Sequence, residues 1–160
     1  MLYVLKARLS TAADAAAIAA ARSLNVGLTI ADQEASARAR AQAFFNANFA
    51  PGSWMTKNQT VTVTIAESAY RTRTVTVNAF FDAPQYFIRF LGFNFTRVRG
   101  EGKASRRDVN LMLVLDRSSS MNSGGACAAM KAASTNFVNM FAEGRDRLGM
   151  VTYGEAFFLG

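Results

Sequence analysis

The sequence predicts an α+β module of long helices packed on a small antiparallel sheet over residues 1–105. The start of a doubly wound α/β domain follows over residues 106–160. Three observations lead there. Alanine-rich stretches with helical spacing open the chain, and two threonine–valine segments with a period of two come next. A nearly unbroken apolar run, Val109 to Leu115, then leads into a serine-rich loop and another helix, the pattern of a strand covered on both faces in a parallel sheet.

The elements follow in order. Leu2 to Leu24 reads as an alanine-rich helix whose apolar edge runs through Leu2, Leu5, Leu9, Ala13, Ala16 and Ala20, interrupted by Lys6, Arg8, Asp14 and Arg22. It begins without a capping residue. Thr29 to Asp32 separates it from a second helix, Gln33 to Phe49, in which Ala37, Ala41, Phe44 or Phe45, and Phe49 share a face while Arg38, Arg40 and Gln42 look outward. Pro51-Gly-Ser53 ends that helix. Thr60–Ile65 and Arg71–Ala79 alternate as an antiparallel pair joined through Glu67–Tyr70, with an apolar face of Val61, Val63, Ile65, Val75, Val77 and Ala79 for the preceding helix to cover. Tyr86–Phe93 reads as a short aromatic helix. Its Arg89 suits a membrane-surface contact or, better, a core helix with a snorkelling arginine. Phe95–Gly102 is a third strand candidate.

In the second segment, Asn122–Gly125 is a polar loop. Ala126, Met130, Ala133, Phe137 and Met140 or Phe141 then form one helical stripe, with Gly144 as a C-cap. Leu148–Tyr153 is the next strand, and Ala156–Leu159 begins a third. Two or three strands cannot cover both faces of a parallel sheet, so residues 106–160 are expected to lack a complete core.

An apolar fraction of 51% argues against wholesale disorder. The formal charge of +7 is dispersed, mostly on arginine and mostly within residues 1–105. Without a run of like charge or an interleaved stacking motif, it points to an acidic partner or an anionic membrane surface rather than to nucleic acid. Histidine is absent, which removes Ser-His-Asp and Cys-His nucleophiles and every histidine metal site, so an enzyme is not expected. The lone Cys127 has no C-x-x-C partner and reads as a small packing residue. No segment has the apolar length of a membrane span or the layout of a signal peptide, so the chain as written is expected to be soluble.

Chemistry concentrates at the end of the Val109–Leu115 run. Asp116, Ser118 and Ser120 place a carboxylate and two hydroxyls at a strand's carboxyl end, where they suit a hard cation such as Mg²⁺. A serine-rich turn after an ordinary strand has the same composition. The strand before and the helix after favour the ion-binding reading.

This D-x-S-x-S pattern resembles the metal-ion-dependent adhesion site of von Willebrand factor type A domains. The resemblance implies that Ser118 and Ser120 ligate Mg²⁺, that Asp116 assists, often through water, and that a partner's acidic side chain completes the shell. Arg147–Tyr153 looks like the usual second strand of that fold. The family's later threonine and aspartate ligands have no counterparts, so the site as written is half a site. Affinity of about 10⁻⁴ to 10⁻³ M, as in weak extracellular calcium modules, is expected.

Tyr3–Arg22, YVLKARLSTAADAAAIAAAR, looks like the juxtamembrane helix of TadE/TadG-like proteins of the Flp (tight adherence) pilus machinery. In those proteins a transmembrane helix precedes such a segment. Helix, paired threonine–valine strands, a short aromatic helix and another strand follow, and TadG-type members continue into a type A domain. The resemblance implies a pseudopilin-like module over 1–105 and the N-terminal part of a type A domain over 106–160. The function it implies is Flp/Tad pilus assembly or surface adhesion, with a cation-dependent ligand-binding domain presented outside the membrane. The place is the cell envelope, at the extracytoplasmic face of the bacterial inner membrane or the cell surface. Implied partners are pilus components or a protein ligand with an acidic side chain, not nucleic acid. Membrane attachment would come through an N-terminal helix absent from this chain, which suggests a fragment or an internally started reading frame. One alternative is a regulatory type A domain of a cytoplasmic ATP-driven complex, which needs neither the alanine-rich helix nor the threonine–valine sheet. A third reading, a phosphate-handling Mg²⁺ enzyme, lacks a G-x-x-x-x-G-K-[ST] loop and has one carboxylate in its motif.

Overall fold

A computed structural model describes residues 2–85, 92, 94–122 and 124–154. The chain is α+β and divides into two units, Met1–Arg107 and Asp108–Gly160. The expected aromatic helix at Tyr86–Phe93 and the expected strand at Ala156–Leu159 lie outside the described residues, Gly92 excepted.

In the first unit, α1 spans Leu2–Arg22 and passes through a 3-10 turn, Ser23–Asn25, to α2, Ile30–Asn48. Strands β1 (Lys57–Ala69), β2 (Thr72–Pro84) and β3 (Phe95–Arg107) form an antiparallel sheet in the order β1-β2-β3. Each strand is longer than the segment expected for it, Thr60–Ile65 and Arg71–Ala79 from the threonine–valine alternation and Phe95–Gly102 as the third candidate. On β2 the inward positions continue past Ala79 through Phe81 and Ala83, both fully buried, so the ladder continues with them.

The helix that covers the middle of this sheet is α1, not α2 as the order of segments suggested. Leu5, Leu9, Ala12, Ala13, Ala16, Ala17 and Ala20 are its buried face, and Leu2 falls outside that face. Small side chains let the helix backbone descend onto the sheet, and β3 answers with glycine. A Cβ at Gly102 would meet the backbone of Ala13 and Asp14, and one at Gly100 would lie 2.9 Å from Leu9 Cγ. Glycine within a strand here marks close backbone approach.

Helix α2 packs on α1 and reaches β1, where Arg38 Nη1 donates to the Val63 carbonyl at 2.8 Å. It starts at Ile30, earlier than expected, because Thr29 and Asp32 close a reciprocal cap. The Asp32 amide donates to Thr29 Oγ1 at 3.1 Å, and the Thr29 amide donates to Asp32 Oδ2 at 3.2 Å. Of the two candidate phenylalanines, Phe45 turns inward and Phe44 is exposed. Phe49 stacks on Phe81 with centroids 5.0 Å apart, joining the end of α2 to β2.

Arg73 shares the inward parity of Val75 and Val77 and is 4% exposed. Its Nη1 donates to Gln33 Oε1 at 3.0 Å and its Nη2 to the Leu24 carbonyl at 3.1 Å. Gln33 Nε2 in turn donates to the Gly27 carbonyl at 3.3 Å. A buried cation thus ties β2 to the α1–α2 turn, where late helix carbonyls favour positive charge.

In the second unit, β4 (Asn110–Asp116) and β5 (Arg147–Tyr153) pair in parallel, with α3 (Ala126–Val138) between them in the chain. Asp146 organises the base. Its Oδ1 accepts from the Val109 amide at 2.8 Å and its Oδ2 from the Ala142 amide at 2.7 Å. Beside it, Arg145 and the almost fully buried Asp108 side chain pair at 2.9 Å. This turn chemistry, with Asn139 as C-cap, ends α3 well before Gly144. The expected apolar stripe of α3 is present in sequence, but none of the helix's residues is buried. Among the described residues of this unit Ala142 is the one buried apolar side chain. Met112, Val114, Met150 and Val151 are each at least half exposed.

Candidate metal-ion site

The site is built where β4 ends. Asp116 closes β4 on the parity of the exposed Met112 and Val114, yet it is half-buried at the strand's carboxyl end, level with Tyr153 of β5. The chain then turns back on the Asp116 carboxylate, whose Oδ1 accepts from the Ser118 amide at 2.7 Å, a local side-chain turn that aspartate favours. The Arg117 amide donates to the Tyr153 carbonyl at 2.7 Å, fixing the loop to the neighbouring strand. Gly154 permits that crossing, since a Cβ there would lie 2.8 Å from the Arg117 carbonyl oxygen. A 3-10 turn, Ser119–Asn122, then brings Ser120 round to Ser118. Their Oγ atoms stand 3.0 Å apart.

The electrostatics keep Asp116 charged. The Ser118 amide, followed by the Ser118 hydroxyl, holds its carboxyl below the ordinary carboxylate value. Partial burial opposes this, and a hydrogen bond from Tyr153 adds to it. At neutral pH the loop therefore presents one ionised carboxylate beside two hydroxyl oxygens.

All three residues singled out in the sequence, Asp116, Ser118 and Ser120, lie in this one loop. Their donors fit a small hard cation. Octahedral Mg²⁺ with bonds of about 2.0–2.1 Å needs adjacent oxygens roughly 2.9 Å apart, which the Ser118–Ser120 spacing meets. Three side chains leave further positions for water or a partner's oxygen. Among the described residues no three His, Cys, Asp or Glu side chains form a metal-holding group, so this candidate rests on hydroxyls and a single carboxylate. Tyr153 was not expected from the sequence to bear on the site. Parallel register is what brings it level with Asp116, and the position of one strand's end opposite another's was the only available signal. Cys127 is half-buried in the first turn of α3.

No family model matches the chain, and neither a curated protein nor a solved structure matches it. Among the described residues no helix is long and apolar enough to cross a membrane.

Proposed function

We propose that the protein is a binding rather than a catalytic component of the bacterial cell envelope, a Flp/Tad pilus assembly or surface adhesion protein of the TadE/TadG-like kind. In this reading the first unit is the pseudopilin-like module. The second belongs to a type A domain whose loop holds Mg²⁺ through Ser118 and Ser120, assisted by Asp116. The cation's remaining positions capture an acidic side chain of a protein partner or pilus component. The observation that carries the proposal is the pair of serine hydroxyls 3.0 Å apart beside an ionised aspartate at the end of a parallel strand. Few protein charges on the ion leave it electrophilic toward a further carboxylate.

The test is a Mg²⁺ titration followed by amide NMR, with an immobilised glutamate-rich peptide as the model ligand. Shifts confined to Asp116–Ser120, saturating at about 10⁻⁴ to 10⁻³ M, and peptide retention lost in EDTA are expected. Asp116→Ala should abolish both while leaving the spectrum of residues 1–107 intact. Unchanged Mg²⁺ shifts in that variant would sink the metal-site reading.

A further inference from the structure

The first unit has a second surface, on its two helices, that its own sheet does not use. Helix α1 presents Ala15, Ile18, Ala19 and Arg22 at spacings of a single helical stripe, and α2 presents Ser36, Arg40, Ala43 and Phe44 in the same way. Together with the turn between the helices they line two adjoining recesses of about 470 and 460 Å³, which share Ser23, Val26 and Arg40. The floor is made of alanine and serine. Ile18, Val26 and Phe44 stand above it, with Ile18 and Val26 half-exposed and Phe44 38% exposed.

Two cations border this apolar channel. Arg40 lies over the Phe44 ring, 5.0 Å from its centroid. Among the described residues neither Arg22 nor Arg40 has a carboxylate partner, whereas the neighbouring Arg38 is paired with Glu34 at 3.0 Å. A channel floored by small side chains between two helices admits the ridge of a third helix. Unpaired arginines at its border select for acid.

We infer that the α1–α2 groove docks an amphipathic helix of a partner protein, its apolar edge seated against Ile18 and Phe44 and its carboxylates meeting Arg22 and Arg40. A second copy of this chain is the wrong occupant by charge. The first unit carries fourteen Lys and Arg against six Asp and Glu, so two such surfaces repel. A bilayer is the wrong occupant by shape, because a flat surface does not fill a concave channel. The inference rests on the first unit alone and is independent of the metal loop.

Fluorescence anisotropy on the full chain tests it. The probe is a labelled helical peptide with leucine and alanine on one face and glutamates along its borders, used with EDTA present throughout. The peptide should bind, and its lysine-for-glutamate counterpart should not. Arg22→Glu with Arg40→Glu, both at exposed positions, should weaken binding by about tenfold or more. Ala43→Trp should block binding by filling the channel while leaving both arginines in place. Circular dichroism confirms that each variant is folded. No binding of the acidic peptide, equal binding of the basic one, or binding indifferent to both variants overturns the inference. So does failure with the peptide combined with arginine-dependent capture of phosphatidylglycerol vesicles, which would assign the surface to a membrane.

Discussion

Arg73, on the core face of β2, donates to Gln33 of α2 at 3.0 Å, a contact between residues forty positions apart that places a cation inside the helix–sheet layer. Removing the Gln33 acceptor takes one hydrogen bond from the buried charge and leaves the one to the Leu24 carbonyl. Gln33→Ala should therefore cost about 2–3 kcal/mol in urea unfolding. The double change Arg73→Met with Gln33→Leu, which removes charge and acceptor together, should cost clearly less. A double variant less stable than Gln33→Ala would show that the cation stabilises the layer in its own right.

Gly102 is where α1 comes closest to the sheet. Because a Cβ there meets helix backbone rather than a movable side chain, Gly102→Ala should destabilise by about 3 kcal/mol, at the upper end for overpacking. Gly100→Ala should be milder, since the Leu9 side chain can shift. Thermal melts of the two variants, compared at equal concentration, check the order.

Asp146 accepts from two backbone amides, those of Val109 and Ala142. Asp146→Ala should cost the second unit about 1–3 kcal/mol. Hydrogen exchange supplies a specific readout, with faster exchange at Val109 and Ala142 and no change within α1. Uniform acceleration across both units would argue against this local role.

Acid should loosen two carboxylate contacts. Asp116 is held below its ordinary value chiefly by the Ser118 amide, and Asp82 chiefly by its hydrogen bond from Arg97, with Asn58 assisting. Both pKa values are depressed in the folded state. Their stabilisation is thus complete above the unfolded carboxylate value of about 3.9 and is lost as pH falls through the lower folded values. Melting temperature should show no change from these groups between neutrality and pH 5, and then fall in strong acid. Carboxyl-detected NMR should place the Asp116 midpoint below that of an unfolded aspartate. A midpoint at or above it would remove the reason for a charged loop.

Much of this architecture is legible in the residues themselves. The alternation of Val61, Val63, Ile65, Val75, Val77 and Ala79 identifies a one-sided sheet, because side chains on a strand alternate between faces. Alanine spacing identifies α1, and Asp116, Ser118 and Ser120 are adjacent enough in sequence that one turn must bring them together. The cap at Thr29 was also present in sequence, yet it reads as a separator when the period of the helix is counted from its first apolar face.

What only the tertiary structure decided depends on distant approach. Nothing local says that α1 rather than α2 crosses the sheet. That follows from Gly100 and Gly102 opening a track on β3 for the backbone at Leu9 and Ala13. Arg73 lies on the inward parity of Val75 and Val77, and its acceptors there, Gln33 and the Leu24 carbonyl, are forty and forty-nine positions away in the chain. Tyr153 bears on Asp116 only through the register of β4 with β5. Sequence fixes periodicity and short-range chemistry, while the choice among partners belongs to packing, where shape and unsatisfied hydrogen bonds are settled together.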